Sequence, residues 1–161
     1  MFATPDVVTA ALVSGKTDIA ILPEPKATAA VTQKKTLRRA INLTDEWDKV
    51  SDSKLMMGCV IALDSYVTEN AATVEKFLEE YKASIEFAAN NPEEAGVMCE
   101  EGKIIPKAKI ATACIPNARL TYVDGAEMKA DIAGYFEVLY NADPTSVGGK
   151  LPGEDFYYNA K

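Results

Sequence analysis

Apolar residues recur along the start of the chain at two spacings, which predict helices and strands in alternation. Thr4 can cap a helix that has one apolar face and ends at Gly15. The run Ile19–Leu22, which stops at Pro23, is typical of a short strand buried on both faces. An alanine-rich helix is predicted next, over residues 26–34.

Further apolar runs extend this pattern. A run at 37–43 completes a helix–strand–helix–strand unit. Because parallel strands are joined by crossover helices, residues 18–22 and 38–42 are predicted to lie parallel in one sheet. After a polar linker at 49–54, the run at 55–63 predicts a return strand. The predicted fold class is therefore α/β.

The remainder of the chain is predicted to be mostly helical. The longest helix should cover residues 69–91, and a last long helix should begin after Asp124, with Glu127 completing a capping box. The longest helix carries one apolar stripe, formed by Val74, Phe77, Leu78, Tyr81, Ile85 and Ala88.

The end of the first predicted strand is a candidate ligand site. Pro23-Glu24-Pro25 holds one carboxylate between two prolines, which restrict the backbone around it. Ligands of open α/β sheets bind at the carboxyl ends of parallel strands, where Glu24 would stand. The alternative is that this segment only ends the strand and starts the next helix, with Pro25 at its first position.

Composition excludes several kinds of chemistry. The net charge of −7 argues against a nucleic-acid partner, because phosphates are neutralised by an excess of Lys and Arg. The 161 residues include no histidine, the commonest general base and metal ligand. We therefore expect no metal, no cofactor and no catalysis. Any enzyme on this chain would have to use carboxylates, lysines or a cysteine.

The three cysteines lack metal-site spacing. Cys59, Cys99 and Cys114 form no C-x-x-C pair. They are interpreted as small buried apolar residues, with a Cys99–Cys114 bridge as the alternative.

A basic cluster and the single tryptophan each allow a structural and a functional interpretation. The cluster of Lys34, Lys35, Arg38 and Arg39 is interpreted as a solvated end of the second helix, where positive charge complements the helix dipole. Trp47 could stack on a ligand, but a buried aromatic at a hinge is the favoured interpretation.

Several segments together resemble the substrate-binding proteins of ABC importers, nearest to the nitrate, sulfonate and thiamine-precursor type. They are AALVSGKTDIAILPEP at 10–25, Leu43-Thr44-Asp45-Glu46-Trp47, Met57-Gly58-Cys59-Val60-Ile61, the helix at 69–91, and the tail at 148–158. The match spans nearly the whole chain, and its most specific part is Asp-x-x-x-x-Pro-Glu-Pro. The resemblance implies a two-lobed, Venus-flytrap α/β fold of the periplasmic-binding-protein type.

The resemblance also implies that the chain is a C-terminal fragment of such a protein. Residues 1–50 would belong to the second lobe as a strand–helix unit. Residues 51–161 would form the return strand and the helices that pack on the first lobe. The chain itself has no basic, apolar leader and no run long enough to span a membrane.

The function implied is that of a solute-binding component that delivers a small molecule to an ABC transporter permease. Ligand contacts are expected at Pro23, Glu24 and Pro25, with Met57 and Gly58 on the return strand. The full-length parent would be extracytoplasmic, either periplasmic or lipid-anchored at the cell surface. The alternatives are a carboxylate-using enzyme on the same scaffold, or a self-associating fragment. Thiamine-pyrimidine synthases resemble this family but depend on histidine, which argues against that enzyme here.

Self-association is the last expectation. The predicted strand at 18–22 would present an uncharged edge that a second copy could pair with. A dimer or higher oligomer is predicted, with the first fifty residues at the contact or exchanged through the linker at 49–54.

Overall fold

A computed structural model describes residues 4–158 of the chain. Over this range it forms eight α-helices and two 3₁₀ turns, the turns lying at Pro144–Val147 and Glu154–Phe156. The helices are α1 (Pro5–Ser14), α2 (Lys26–Gln33), α3 (Leu43–Trp47), α4 (Asp64–Glu69), α5 (Ala71–Asn90), α6 (Pro92–Glu101), α7 (Ala108–Ala118) and α8 (Gly125–Ala142).

The predicted strands are not formed in residues 4–158. The segments at 18–22, 38–42 and 55–63 have no regular secondary structure there, so the predicted parallel pair and the α/β class are not shown. Apolar runs predict strands from local pattern alone, whereas a strand exists only beside a neighbour that accepts its hydrogen bonds. Ile19 and Ile61 remain 87% and 81% exposed, as expected of apolar segments without a covering layer.

The first two helices confirm the sequence prediction. Thr4 caps α1, and its hydroxyl accepts a hydrogen bond from the Val7 N–H at 3.4 Å. Gly15 ends the helix at φ 78°, a left-handed conformation that glycine adopts without strain. Lys34, at the end of α2, donates to the Leu12 carbonyl near the C-terminus of α1. One member of the basic cluster therefore stabilises a neighbouring helix end.

One compact unit contains every buried side chain of the described residues. It comprises the described chain up to Ala40 together with Glu80–Tyr122, and its core is built by α1, α2, α6 and α7. Gly96 lies where α6 and α7 pack, since a Cβ there would stand 2.2 Å from Thr112 Oγ1. The buried side chains are small or medium in size: Thr9, Ala11, Leu12, Thr28, Ala30, Ala95, Ala111, Cys114 and Ile115.

The other compact unit comprises Ile41–Glu79 and Val123–Lys161, and has no buried residue in its described part. Trp47 Nε1 donates to the Ser53 carbonyl at 2.7 Å. The Trp47 ring packs edge-to-face with the ring of Tyr135 on α8, and the two ring centroids lie 5.6 Å apart. Gly134 faces Ser53, whose Cβ would lie 3.0 Å from an added Cβ. Ser53, within the polar segment at 49–54, is therefore held against α8.

Two helical details differ from prediction. The longest helix, α5, begins at Ala71 and not at residue 69, and a short helix, α4, precedes it. Asp124 precedes α8 but makes no side-chain cap, so the predicted capping box is wrong. The next residue, Gly125, has φ 57°, outside the helical region that would bring the first-turn amides to the Asp124 carboxylate.

The cysteines are all free thiols, so the alternative of a Cys99–Cys114 bridge is not formed. Only Cys114 is buried, while Cys99 is half-buried and Cys59 is exposed. The interpretation as buried apolar residues therefore holds for Cys114 alone. The predicted division of the chain at residue 50, which refers to the lobes of the resembled family, stays a prediction.

Candidate functional site

Glu24 lies at the centre of a hydrogen-bonded cluster in the first unit. Its Oε1 accepts from Arg39 Nη2 at 2.8 Å, and its Oε2 accepts from the Thr28 backbone N–H at 3.1 Å. The Glu24 side chain is 14% exposed and that of Arg39 is 41% exposed. The carboxylate is therefore shielded, whereas the guanidinium faces solvent with part of its surface.

Thr28 connects the two charged groups. Its hydroxyl accepts from Arg39 Nη2 at 2.5 Å, and the residue is 2% exposed. The same nitrogen of Arg39 thus bonds both Glu24 and Thr28. Because Thr28 lies on the buried face of α2, this arrangement fixes Arg39 to the packed helices of the unit.

The local sequence explains why Glu24 points at the helix. Pro25 is the N-cap residue of α2 and makes no side-chain cap. Glu24, one residue earlier, supplies a carboxylate acceptor to the N–H of Thr28 in the first turn instead. Pro23-Glu24-Pro25 therefore does start the next helix, as the alternative interpretation held. Pro25 lies at the cap, however, and not at the first helical position.

Cys114 on α7 lies close enough to this cluster for its charges to affect the pKa of the thiol. Burial raises the pKa of the Cys114 thiol, and the negative charge of Glu24 raises it further. A raised thiol pKa keeps the group protonated at neutral pH, so Cys114 has the character of a structural residue and not of a nucleophile.

The predicted site residues fall in both compact units. Pro23, Glu24 and Pro25 belong to the first unit, with Pro23 exposed and the other two partly buried. Met57 and Gly58 belong to the second unit, where Met57 is 77% exposed. A Cβ added at Gly58 would meet nothing within 4 Å, so no close backbone approach requires glycine there.

Arg39 is the residue that the sequence interpretation missed. The basic cluster was expected to be a solvated helix end, yet Arg39 pairs with Glu24 and Lys34 bonds α1. One feature of the sequence could have indicated this pairing. The basic cluster is the chain's one concentration of positive charge, and its members follow Glu24, the carboxylate between two prolines, by fifteen residues or fewer.

Two depressions lie in the second unit, and no predicted site residue lines either. A groove of about 430 Å³ beside α8 is lined by polar and acidic residues that include Ser51, Asp52, Asp131 and Glu137. A smaller cavity of about 230 Å³ lies at the start of α8, against Lys129 and Tyr157. The part of the chain that the structure describes has no cluster of His, Cys, Asp and Glu that could hold a metal ion. None of its helices is long and apolar enough to cross a membrane.

Comparison with known proteins defines the family. A family model described as NMT1/THI5 like matches residues 3–95, more than half of the chain. The chain therefore belongs to the NMT1/THI5-like family. No curated protein matches it significantly.

A solved structure gives the wider fold. The chain superimposes on an ABC transporter from Parabacteroides distasonis with a TM-score of 0.78 and 22% identity. The match covers 99% of this chain and 55% of that one, so the chain spans about half the length of its structural relative. The two comparisons confirm the resemblance to ABC transport proteins that the sequence indicated.

Proposed function

We propose that the chain is part of the solute-binding component of an ABC import system, and that it contributes contacts to a small molecule. The proposal is supported by the NMT1/THI5-like family match and by the fold shared with an ABC transporter protein. The observation that carries the site is the Glu24–Arg39 pair, which fixes a partly exposed guanidinium on a packed helical framework.

The pair favours a solute that accepts hydrogen bonds. Arg39 uses Nη2 for Glu24 and Thr28, and its Nε and Nη1 groups make no hydrogen bond with the described residues. These N–H groups form part of the fork that binds carboxylate-like, sulfonate-like or nitrate-like oxygens. Both Glu24 oxygens already accept bonds from the chain, so Glu24 would act chiefly by orienting Arg39.

Pro23, Pro25, Met57 and Gly58 complete the proposed ligand contacts. Pro23 and Pro25 flank Glu24 and restrict its backbone. Met57 offers an exposed, adaptable apolar side chain, and Gly58 leaves open space in its segment. No catalytic step is proposed for any of these residues.

The wider setting follows from the same proposal. A solute-binding component delivers its ligand to a membrane permease and acts outside the cytoplasm, so we place the whole protein there. The permease partner and the extracytoplasmic setting rest on the family and fold matches.

A binding experiment tests the proposal. The 161-residue chain is titrated by calorimetry with nitrate, an alkanesulfonate and a thiamine-type aminopyrimidine, and its melting is followed with each. At a hundredfold excess over the dissociation constant, a bound solute should stabilise the fold by about 2.7 kcal/mol. For a chain of this size that corresponds to a rise in Tm of roughly 5–10 °C.

Two variants locate the site. Arg39→Gln should abolish the response, whereas Arg38→Gln removes the neighbouring charge of the same cluster and should leave it unchanged. If both variants bind equally well, Arg39 is not a ligand contact. If none of the three solutes binds the unmodified chain, solute binding by this chain is refuted for these ligand classes.

A further inference from the structure

Asp124 and Gly125 form the one Asp-Gly pair of the chain, and they lie at the start of α8. Asp124 is exposed, and its carboxylate makes no cap to the helix that follows. Among residues 4–158, no group donates to this carboxylate, and the Gly125 N–H donates no hydrogen bond. The carboxyl group and the next amide nitrogen are therefore free to react with each other.

We propose that Asp124 is a site of spontaneous modification, where aspartate converts to isoaspartate in the folded chain. The Gly125 amide nitrogen attacks the side-chain carboxyl carbon of Asp124. A C–N bond forms, the C–OH bond of the carboxyl group breaks, and the hydroxyl leaves with the amide proton as water. The product is a five-membered cyclic imide.

Water then opens the imide at either of its two carbonyl carbons. Opening on one side restores aspartate, and opening on the other gives isoaspartate, in which the main chain runs through the former side chain of Asp124. The reaction consumes and releases one water and needs no oxidant, metal or enzyme. It does not depend on the proposed solute.

The backbone at this pair favours ring closure. A side chain on the residue after aspartate hinders approach to its amide nitrogen, and Gly125 has none. A Cβ built on Gly125 would meet nothing within 4 Å, so the surrounding chain does not close off the nitrogen either. Asp124 has an extended backbone, with φ −137° and ψ −179°, and lies outside the helix proper. Attack by the Gly125 nitrogen therefore breaks no helical hydrogen bond.

Asp52 shows how the fold restrains the same chemistry at another site. It is also exposed and is followed by the small residue Ser53. The Ser53 N–H, however, donates to Ser51 Oγ at 3.2 Å, and the Ser53 carbonyl accepts from Trp47 Nε1 at 2.7 Å. The nitrogen that would attack Asp52 is thus already bonded and its segment is fixed, so folding should slow the reaction there.

The conversion would alter the start of α8. The Asp124 carbonyl accepts the Met128 N–H at 3.2 Å, which is the first hydrogen bond of the helix. In the isoaspartyl form this carbonyl becomes part of a side-chain carboxylate, and the main chain gains one methylene group. Lys129, which pairs with Glu154 beside the smaller cavity, lies in the turn that this bond closes.

Peptide mapping of the 161-residue chain tests the proposal. Trypsin cleaves after Lys and Arg, so it releases residues 120–129 with Asp124 and residues 50–54 with Asp52 as separate peptides. Isoaspartate is identified by electron-transfer fragmentation and by labelling with isoaspartyl methyltransferase. Samples are aged for weeks at neutral pH, folded or unfolded in guanidinium chloride. We expect Asp124 to convert at similar rates in both, and Asp52 to convert several-fold more slowly when folded.

Two variants control for the chemistry, and circular dichroism checks that each keeps its helices. Asp124→Glu should give no product on this timescale, because its ring would have six members and closes far more slowly. Asp124→Asn should convert faster, since it forms the same imide with loss of ammonia. The proposal is overturned if the folded chain forms no isoaspartate at Asp124, or if folding protects Asp124 as strongly as it protects Asp52.

Discussion

Arg39 Nη2 lies 2.8 Å from Glu24 Oε1, and this contact joins the segment after the first apolar run to the segment after α2. Glu24 also accepts the Thr28 N–H of the α2 first turn, so one carboxylate serves an ion pair and a helix cap. Loss of this carboxylate therefore affects the fold as well as any solute contact.

Glu24→Ala should lower the free energy of unfolding by about 1–2 kcal/mol, most of it from the lost cap and less from the partly exposed ion pair. Urea unfolding followed by far-UV circular dichroism measures the change. Glu24→Gln is the matched variant, because its amide oxygen can still accept from Thr28, and it should lose less. Equal losses for the two variants would show that the charge, and not the cap, dominates.

Gly96→Ala should destabilise the first unit by about 1–3 kcal/mol, through overpacking where α6 and α7 meet. A Cβ there would stand 2.2 Å from Thr112 Oγ1 and 3.0 Å from the Ala108 carbonyl oxygen. The control is Gly58→Ala, whose Cβ meets nothing within 4 Å and which should change stability by less than about 0.5 kcal/mol. Far-UV circular dichroism in urea measures both. If Gly96→Ala is as well tolerated as Gly58→Ala, then α6 and α7 do not pack this closely.

Cys114 should make stability fall at alkaline pH. Its pKa in the folded state is raised above the ordinary value of 9.0, so the unfolded chain loses this proton at lower pH than the folded chain. The stabilisation is therefore complete below about pH 9 and is lost as the pH rises toward the folded-state pKa.

Urea unfolding between pH 8 and pH 10.5 should show this decline, and Cys114→Ala should flatten it. Cys59→Ala, which removes an exposed thiol, should leave the slope unchanged. A decline of the same size in all three proteins would assign the effect to other groups.

Gly134→Ala should move residues 51–53 away from α8, because the added Cβ would stand 3.0 Å from the Ser53 Cβ. That displacement strains the 2.7 Å bond from Trp47 Nε1 to the Ser53 carbonyl. Since Trp47 is the chain's single tryptophan, its fluorescence emission should shift to longer wavelength. The control is Gly58→Ala, which should leave the emission unchanged because its added Cβ meets nothing within 4 Å. Gly148→Ala would not serve, because a side chain at its φ of 77° is strained.

Local signals in the sequence predicted the helices well. The bounds of α1 and α2 follow from Thr4, Gly15 and the alanine-rich run, because caps and helix formers act within a few residues. The apolar runs at 18–22 and 55–63 predicted strands that are absent from residues 4–158, since strand formation depends on a neighbour that local pattern does not reveal.

The candidate site shows the same limit of local pattern. Glu24 stood out because its prolines are adjacent in sequence. Arg39 did not, because its partnership with Glu24 and Thr28 depends on how the segment after α2 folds back onto that helix. The placement of Pro23, Glu24, Pro25, Met57 and Gly58 in a ligand site stays a prediction.

The uneven distribution of buried side chains affects how the chain should lose structure on heating. Every buried residue of the described chain lies in the unit of α1, α2, α6 and α7, whereas Trp47 lies in the other unit. Units with such different cores are expected to open with different free energies. A melting curve read from tryptophan emission would then report the weaker unit, while ellipticity would sum the two, and the two midpoints should not coincide.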